Sequence, residues 1–229
     1  MGPSSGERRS TRLRVRRAAT HFVASLLVLA SAGCATTGSI RGTLAIPPSA
    51  TPADSEQVAR GAPGASLASV TNAVVYIERS CKSKPRRDHW WNRGHMRQTH
   101  NGFEPLVIAV PVGTTVQFDN RDSVYHNVFS VNAPKRFDTG LYAGGQKRRV
   151  RFDRPGALSV FCELHPQATG FIVVCPGRLF ARPNARGEFR LPRLAEGTYT
   201  VKAWHPIYGD TSRQVKVARK TRTTLRLAY

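Results

Sequence analysis

The chain has 229 residues, 40% of them hydrophobic, with 35 Lys and Arg against 14 Asp and Glu, a formal net charge of +21. That length holds one or two globular domains, and the hydrophobic share excludes disorder throughout. The 19 Gly and 15 Pro, with Val, Thr and Phe in short runs, favour strands joined by turns over long helices, and the four Cys are too few for a small disulfide framework.

At the start, Arg8, Arg9, Arg12, Arg14, Arg16 and Arg17 precede an apolar run from Phe22 to Ala30, followed by Ser31, Ala32 and Gly33. A basic stretch, an apolar stretch and small residues in that order predict an export signal over residues 1–33. The apolar run falls short of the roughly 20 residues that a spanning helix needs, so cleavage is expected. Cys34 after Ala-Gly resembles a bacterial lipoprotein box, with Ser31 where that box prefers Leu, and makes Cys34 a candidate for lipid attachment. Without residues 1–33 the chain keeps 29 basic and 13 acidic residues, so the basic excess is not the signal's alone. Such charge suggests a polyanion, yet the chain is read as exported and has no recognition-helix or RNP-like pattern. The expected partners are therefore an acidic redox protein or an anionic envelope surface, with no nucleic acid.

Ser39 to Ala45 is a strand candidate, and Pro47 to Ser69, rich in Pro, Ala, Ser and Gly, is a linker. Ala73 to Ile77 and Leu106 to Val110 read as buried strands. Thr114 to Phe118 and Arg149 to Phe152 alternate, and Ala157 to Cys162 and Gly170 to Val174 complete the set, with turn signals at Pro111-Val112-Gly113, Ala143-Gly144-Gly145 and Arg154-Pro155-Gly156. This pattern predicts an all-β sandwich or barrel. After Cys175 a shorter β pattern follows: Arg178 to Ala181, a turn at Asn184 to Gly187, Glu188 to Leu191, Gly197 to Trp204, Gln214 to Val217 and Thr223 to Leu227. A unit of that size buries little surface alone, so it is expected to pack on the first domain with the early strand.

Three residues carry chemistry. His126 stands after the strand ending at Phe118-Asp119-Asn120, Cys162 closes the strand from Ala157, and His165 follows three residues later. One thiolate and two imidazoles suit copper or zinc. The step from Cys162 to His165 around a turn lets both face one ion, and His126 closes a trigonal His2Cys plane, which favours copper.

Here the sequence resembles a known family. Phe103-Glu104-Pro105, Val110 through Asn120, Tyr125-His126-Asn127-Val128-Phe129 and Phe161-Cys162-Glu163-Leu164-His165-Pro166-Gln167 resemble the plastocyanin/azurin (cupredoxin) family, with a copper loop of amicyanin length. The chain is also similar to exported proteins labelled methylamine-utilisation proteins, which add a carboxypeptidase-regulatory-like β module. Gly187 through Pro192 and Gly197 through Val201 resemble that module. The resemblance implies a cupredoxin Greek-key β-sandwich over residues 70–176 and a small β-sandwich module over 177–229, after a signal at 1–33 and a short strand and linker at 34–69. It also implies one copper ion held by His126, Cys162 and His165, with Asn127 tying the two ligand loops together by hydrogen bonds. Where the family's pattern puts a weak axial Met, this chain has Ala168. Met96, the only Met besides Met1, is placed by the sequence in a basic loop. The three equatorial donors supply the short bonds, so a trigonal site stands without an axial one.

Of the four cysteines, Cys34 falls at the signal boundary and Cys162 at the metal, leaving Cys81 and Cys175 as a candidate disulfide in an oxidising compartment. Lys82 to His100 combines Lys82, Lys84, Arg86, Arg87, Arg93 and Arg97 with Trp90, Trp91, His89, His95 and His100, which reads as an exposed basic and aromatic loop. His205 has no companion ligand and reads as structural. No nucleophile elbow, phosphate loop, His-Glu-x-x-His helix or paired carboxylates occur, so a non-enzyme is expected: an exported, periplasmic or envelope-anchored bacterial electron carrier. The other reading is a copper-delivery or envelope-binding module with a degenerate site.

Overall fold

Residues 37–47, 67–78 and 93–229 are described by the computed structural model. The signal segment, Cys34, Cys81, Trp90 and Trp91 lie outside the described residues. The strands run β1 (Ser39–Ala45), β2 (Val74–Ile77), β3 (Arg93–Thr99), β4 (Gly102–Glu104), β5 (Val107–Pro111), β6 (Thr114–Asn120), β7 (Phe129–Ser130), β8 (Phe137–Asp138), β9 (Lys147–Phe152), β10 (Gly156–Phe161), β11 (Thr169–Cys175), β12 (Phe180–Ala181), β13 (Glu188–Arg190), β14 (Gly197–His205), β15 (Gly209–Val217) and β16 (Arg222–Ala228). One 3-10 turn, Val70–Asn72, is the single helical element among the described residues, so the fold is all-β as expected.

Two sheets make the first sandwich, ordered β5-β11-β10-β7-β8 and β4-β3-β6-β9. Their facing sides bury Ile108, Val110, Val116, Phe118, Phe152, Leu158, Val160 and Ile172 in one core. A second pair, β13-β1-β16 and β12-β2-β14-β15, encloses Ile40, Leu44, Val75, Ile77, Phe189, Val201 and Leu225. The turn leading into β13 needs Gly187, whose φ is +76°; a side chain there would be strained and would collide with the Leu44 carbonyl.

Side chains alternate faces along a strand, which explains why β11 is apolar throughout. Ile172 and Val174 enter the first core, while Phe171, Val173 and Cys175 enter a third cluster with Val107, Val74, Tyr76 and Leu106. That third cluster joins the two sandwiches inside one compact unit, Ala35–Tyr229.

Two expectations change. The strand at Val74–Ile77, expected in the domain over 70–176, pairs with β14 and β12 and belongs to the second sandwich. Its four residues are all buried, so no polar face marks which sheet it joins. The segment Lys82 to His100, expected as a loop, contains the seven-residue strand β3, paired with β6 and β4. Met96 is accordingly not in a basic loop but fully buried in the first core. The early strand joins the C-terminal strands as expected, antiparallel to β13 and parallel to β16.

Candidate metal centre

The loop between β6 and β7 carries His126, and the loop between β10 and β11 carries Cys162 and His165. His126 is clamped at its backbone, where its N–H donates to Tyr142 O at 3.1 Å and its carbonyl accepts the Tyr142 N–H at 2.8 Å. Cys162 follows the last residue of β10, and a turn in which the Ala168 N–H donates to His165 O at 2.8 Å holds the second imidazole over the thiol. The three expected donors meet: Cys162 Sγ lies 3.5 Å from His126 Nδ1 and 3.6 Å from His165 Nδ1, and all three atoms lie within 4.8 Å of one another.

These spacings can be tested against bond lengths. Metal–nitrogen bonds of about 2.0 Å and metal–sulfur bonds of about 2.3 Å, opened between tetrahedral and trigonal angles, separate sulfur from nitrogen by about 3.5 to 3.7 Å. The observed Sγ to Nδ1 distances fall in that range. The donor set, one sulfur and two imidazole nitrogens, is that of copper or zinc. His126 is fully buried and Cys162 nearly so, while His165 is half-buried.

His126 Nε2 lies 2.8 Å from Asp122 Oδ2. With Nε2–H donating to that carboxylate, the Nδ1 lone pair is left to face the thiol, so the tautomer needed for ligation is fixed from behind. Asp122 also accepts the His100 backbone N–H. Burial alone would raise the Asp122 carboxyl, but the hydrogen bonds from His126 and His100 outweigh it and hold the group below its ordinary range. Burial, reinforced by the neighbouring His126, pushes His165 below the usual imidazole range, so its donor nitrogen is neutral at neutral pH.

Asn127 is buried beside His126, and its Oδ1 accepts the Glu163 N–H at 2.8 Å, which ties the two ligand loops together. Behind it runs a buried chain in which Tyr142 OH donates to Gln98 Oε1 and Gln98 Nε2 donates to Asn127 O at 3.0 Å. Asp122, Gln98 and Tyr142 were not singled out from sequence. For Asp122 the one available signal was a carboxylate four residues before a loop histidine; for Gln98 it was concealed by the missed strand.

Ala168 is fully buried in the same core cluster as Cys162. Gln167 Nε2 donates to His100 O at 2.9 Å. Among the described histidines of the segment 82–100, His95 Nε2 contacts Asp119 Oδ2 at 2.8 Å and His100 contacts Asp122. His205 lies in the second sandwich, with Nε2 3.1 Å from Ser69 O and Nδ1 accepting the Ile207 N–H at 3.2 Å, which accounts for both ring nitrogens. Cys175 is a buried thiol, pushed up by burial; its candidate partner Cys81 lies outside the described residues.

Fold and donor set together define an all-β protein with a centre of one buried cysteine sulfur and two imidazoles. No family model matches the chain. Among solved structures it is similar to a purple cupredoxin from Nitrosopumilus maritimus, at 26% identity over 35% of this chain and 98% of that one, TM-score 0.32. It is also similar to an oxidised amicyanin variant, at 25% identity over 36% of this chain and 81% of that one, TM-score 0.34. A third similarity is to a copper-containing nitrite reductase from Thermus scotoductus SA-01, at 28% identity over 42% of this chain, TM-score 0.35, and it spans only 25% of the reductase.

Proposed function

We propose that the chain is an exported type 1 copper protein that carries one electron at a time on His126, Cys162 and His165. The observation that carries this reading is the convergence of Cys162 Sγ on two Nδ1 atoms at 3.5 and 3.6 Å, with His126 and Cys162 buried and His165 half-buried. Copper held there would supply a one-electron couple. The chain's own residues keep the donors in place: Asp122 fixes the His126 tautomer, Asn127 ties the loops, and the Tyr142–Gln98 pair braces Asn127 from behind. Ligands held this firmly change position little between oxidation states, which suits electron transfer better than substrate turnover.

His165 is the most accessible of the three. Exposed Val124 and Tyr125 precede His126 in sequence, and exposed Leu164 precedes His165, so the ligand loops themselves offer apolar surface for a partner. The excess of 29 basic over 13 acidic residues that remains after residues 1–33 supports an acidic redox protein or an anionic envelope surface in that role. Export through residues 1–33, with lipid attachment at Cys34, belongs to the same reading.

The test is a visible spectrum of the purified mature chain after addition of Cu(II). Intense absorption in the thiolate charge-transfer region that ascorbate abolishes supports the carrier. Stoichiometric Cu(I) binding with no coloured Cu(II) form supports copper delivery instead.

A further inference from the structure

Away from the metal centre, the outer face of the β13-β1-β16 sheet and the residues after β12 border a cavity of about 820 Å³ whose lining includes Arg41, Arg182, Arg190, Glu188 and Asn184. Arg41 and Arg190 are direct antiparallel partners across β1 and β13, and both side chains are exposed. Like charges set opposite each other on one face of a sheet repel. The neighbour of Arg41 on the other side, in β16, is Thr224, which offers no charge to relieve them.

Arg182 adds a third guanidinium. Its side chain is exposed, with Nη1 donating to Val107 O at 2.9 Å and Nη2 donating to Thr71 O at 2.6 Å. Two carbonyls satisfy only part of a five-donor fork and bring no countercharge. Among the described residues Arg97, Arg121, Arg151 and Arg186 each stand in an ion pair, and none of these three does. The one carboxylate on the lining, Glu188, is held at Oε2 by Asn184 Nδ2 at 2.8 Å and by Arg186 at 3.6 Å. The cavity therefore carries a net positive charge that the protein leaves unanswered.

We propose that this cavity is an oxyanion site that takes a doubly charged phosphate group, free or at the head of a lipid, between the paired Arg41 and Arg190 with Arg182 contributing. A tetrahedral dianion accepts parallel N–H bonds from planar guanidinium forks and converts the repulsive Arg41–Arg190 pair into a bridged one. The site is independent of the metal.

The experiment is isothermal titration of the full mature chain with inorganic phosphate, at ionic strength held constant with sodium chloride. One site per chain is expected, weakened at least about tenfold in Arg190→Gln and in Arg41→Gln and unchanged in Arg213→Gln, a substitution of a nearby basic residue outside the cavity. The unfolding midpoint of Arg190→Gln without phosphate should match or exceed that of the parent chain, because the substitution relieves a repulsion; a merely structural arginine would lower it. Sedimentation with phosphatidylcholine vesicles containing phosphatidic acid separates the sources. Vesicle binding that phosphate competes away and Arg190→Gln loses assigns the lipid headgroup, and phosphate binding without vesicle binding assigns the free anion. Absence of a one-site phosphate isotherm, or equal weakening in Arg213→Gln, overturns the proposal.

Discussion

Replacing Asp122 tests whether the carboxylate behind His126 sets the strength of the metal site. In the parent chain Nε2–H of the fully buried His126 donates to Asp122 Oδ2 at 2.8 Å. Asp122→Asn keeps an acceptor oxygen of nearly the same shape and removes the charge. A charge-assisted hydrogen bond is about twice as strong as a neutral one, whose net worth is about 1 kcal/mol. The exchange should therefore cost about 1 to 1.5 kcal/mol of ligand pre-orientation, close to tenfold in metal affinity at about 1.4 kcal/mol per decade. Asp122→Ala leaves a buried N–H without an acceptor, a penalty of about 1 to 3 kcal/mol, and should weaken binding by up to about a hundredfold. The assay is competition for copper against a chromophoric chelator of known affinity, with the full chain. If both variants stay within about threefold of the parent, the carboxylate does not set the basicity of His126 and the reasoning fails.

Three further outcomes are expected. Cys162→Ser should abolish the coloured copper form while the circular dichroism of the metal-free chain is retained, because it removes the one sulfur donor among the three ligands; retained colour would refute the ligand set. Ala168→Met should lower the reduction potential, since an axial thioether stabilises Cu(II) more than Cu(I), while adding Cγ, Sδ and Cε to a fully buried position at a cost of about 1 to 3 kcal/mol in a denaturant titration. An unchanged potential would mean that residue 168 does not face the ion. Burial would raise the Asp119 carboxyl, but hydrogen bonds from His95 and Gln117 outweigh it and hold the group below its ordinary value. Its contribution to stability is therefore complete above the unfolded value of about 3.9 and is lost as pH falls through the lower folded value, so Asp119→Asn should flatten the acid limb of a plot of unfolding midpoint against pH.

The strands that lead into the ligand loops were legible because their patterning is strong. Phe118-Asp119-Asn120 ended a strand before His126, and the apolar run to Phe161 ended at Cys162, so the donor set could be assembled from sequence. Strand β3 was not legible, because the positions it buries are Gly94, Met96 and Gln98, of which only Met96 is a large apolar residue. Its basic, outward neighbours gave it the look of a loop. The partnership of β2 was hidden for the opposite reason: with both faces covered, it carries no polar register to assign it to one sheet. Asp122 became recognisable only once Asn120, donating to Val124 O and accepting the Asp122 N–H, curled the loop back toward His126.

Strand β11 has a consequence beyond packing. The residues directly after the ligand loop are shared between two cores, with Ile172 and Val174 serving one and Phe171, Val173 and Cys175 the other. Val74 and Tyr76 of β2, with Phe180 and Trp204, cover Val107, Phe171 and Val173, so without the second sandwich these would face water as an adhesive stripe, and the half that carries the three donors is not a detachable unit. The C-terminal sandwich acts as its lining, and any loosening of that lining would be felt one strand away from His165, in the loop that carries two of the three donors.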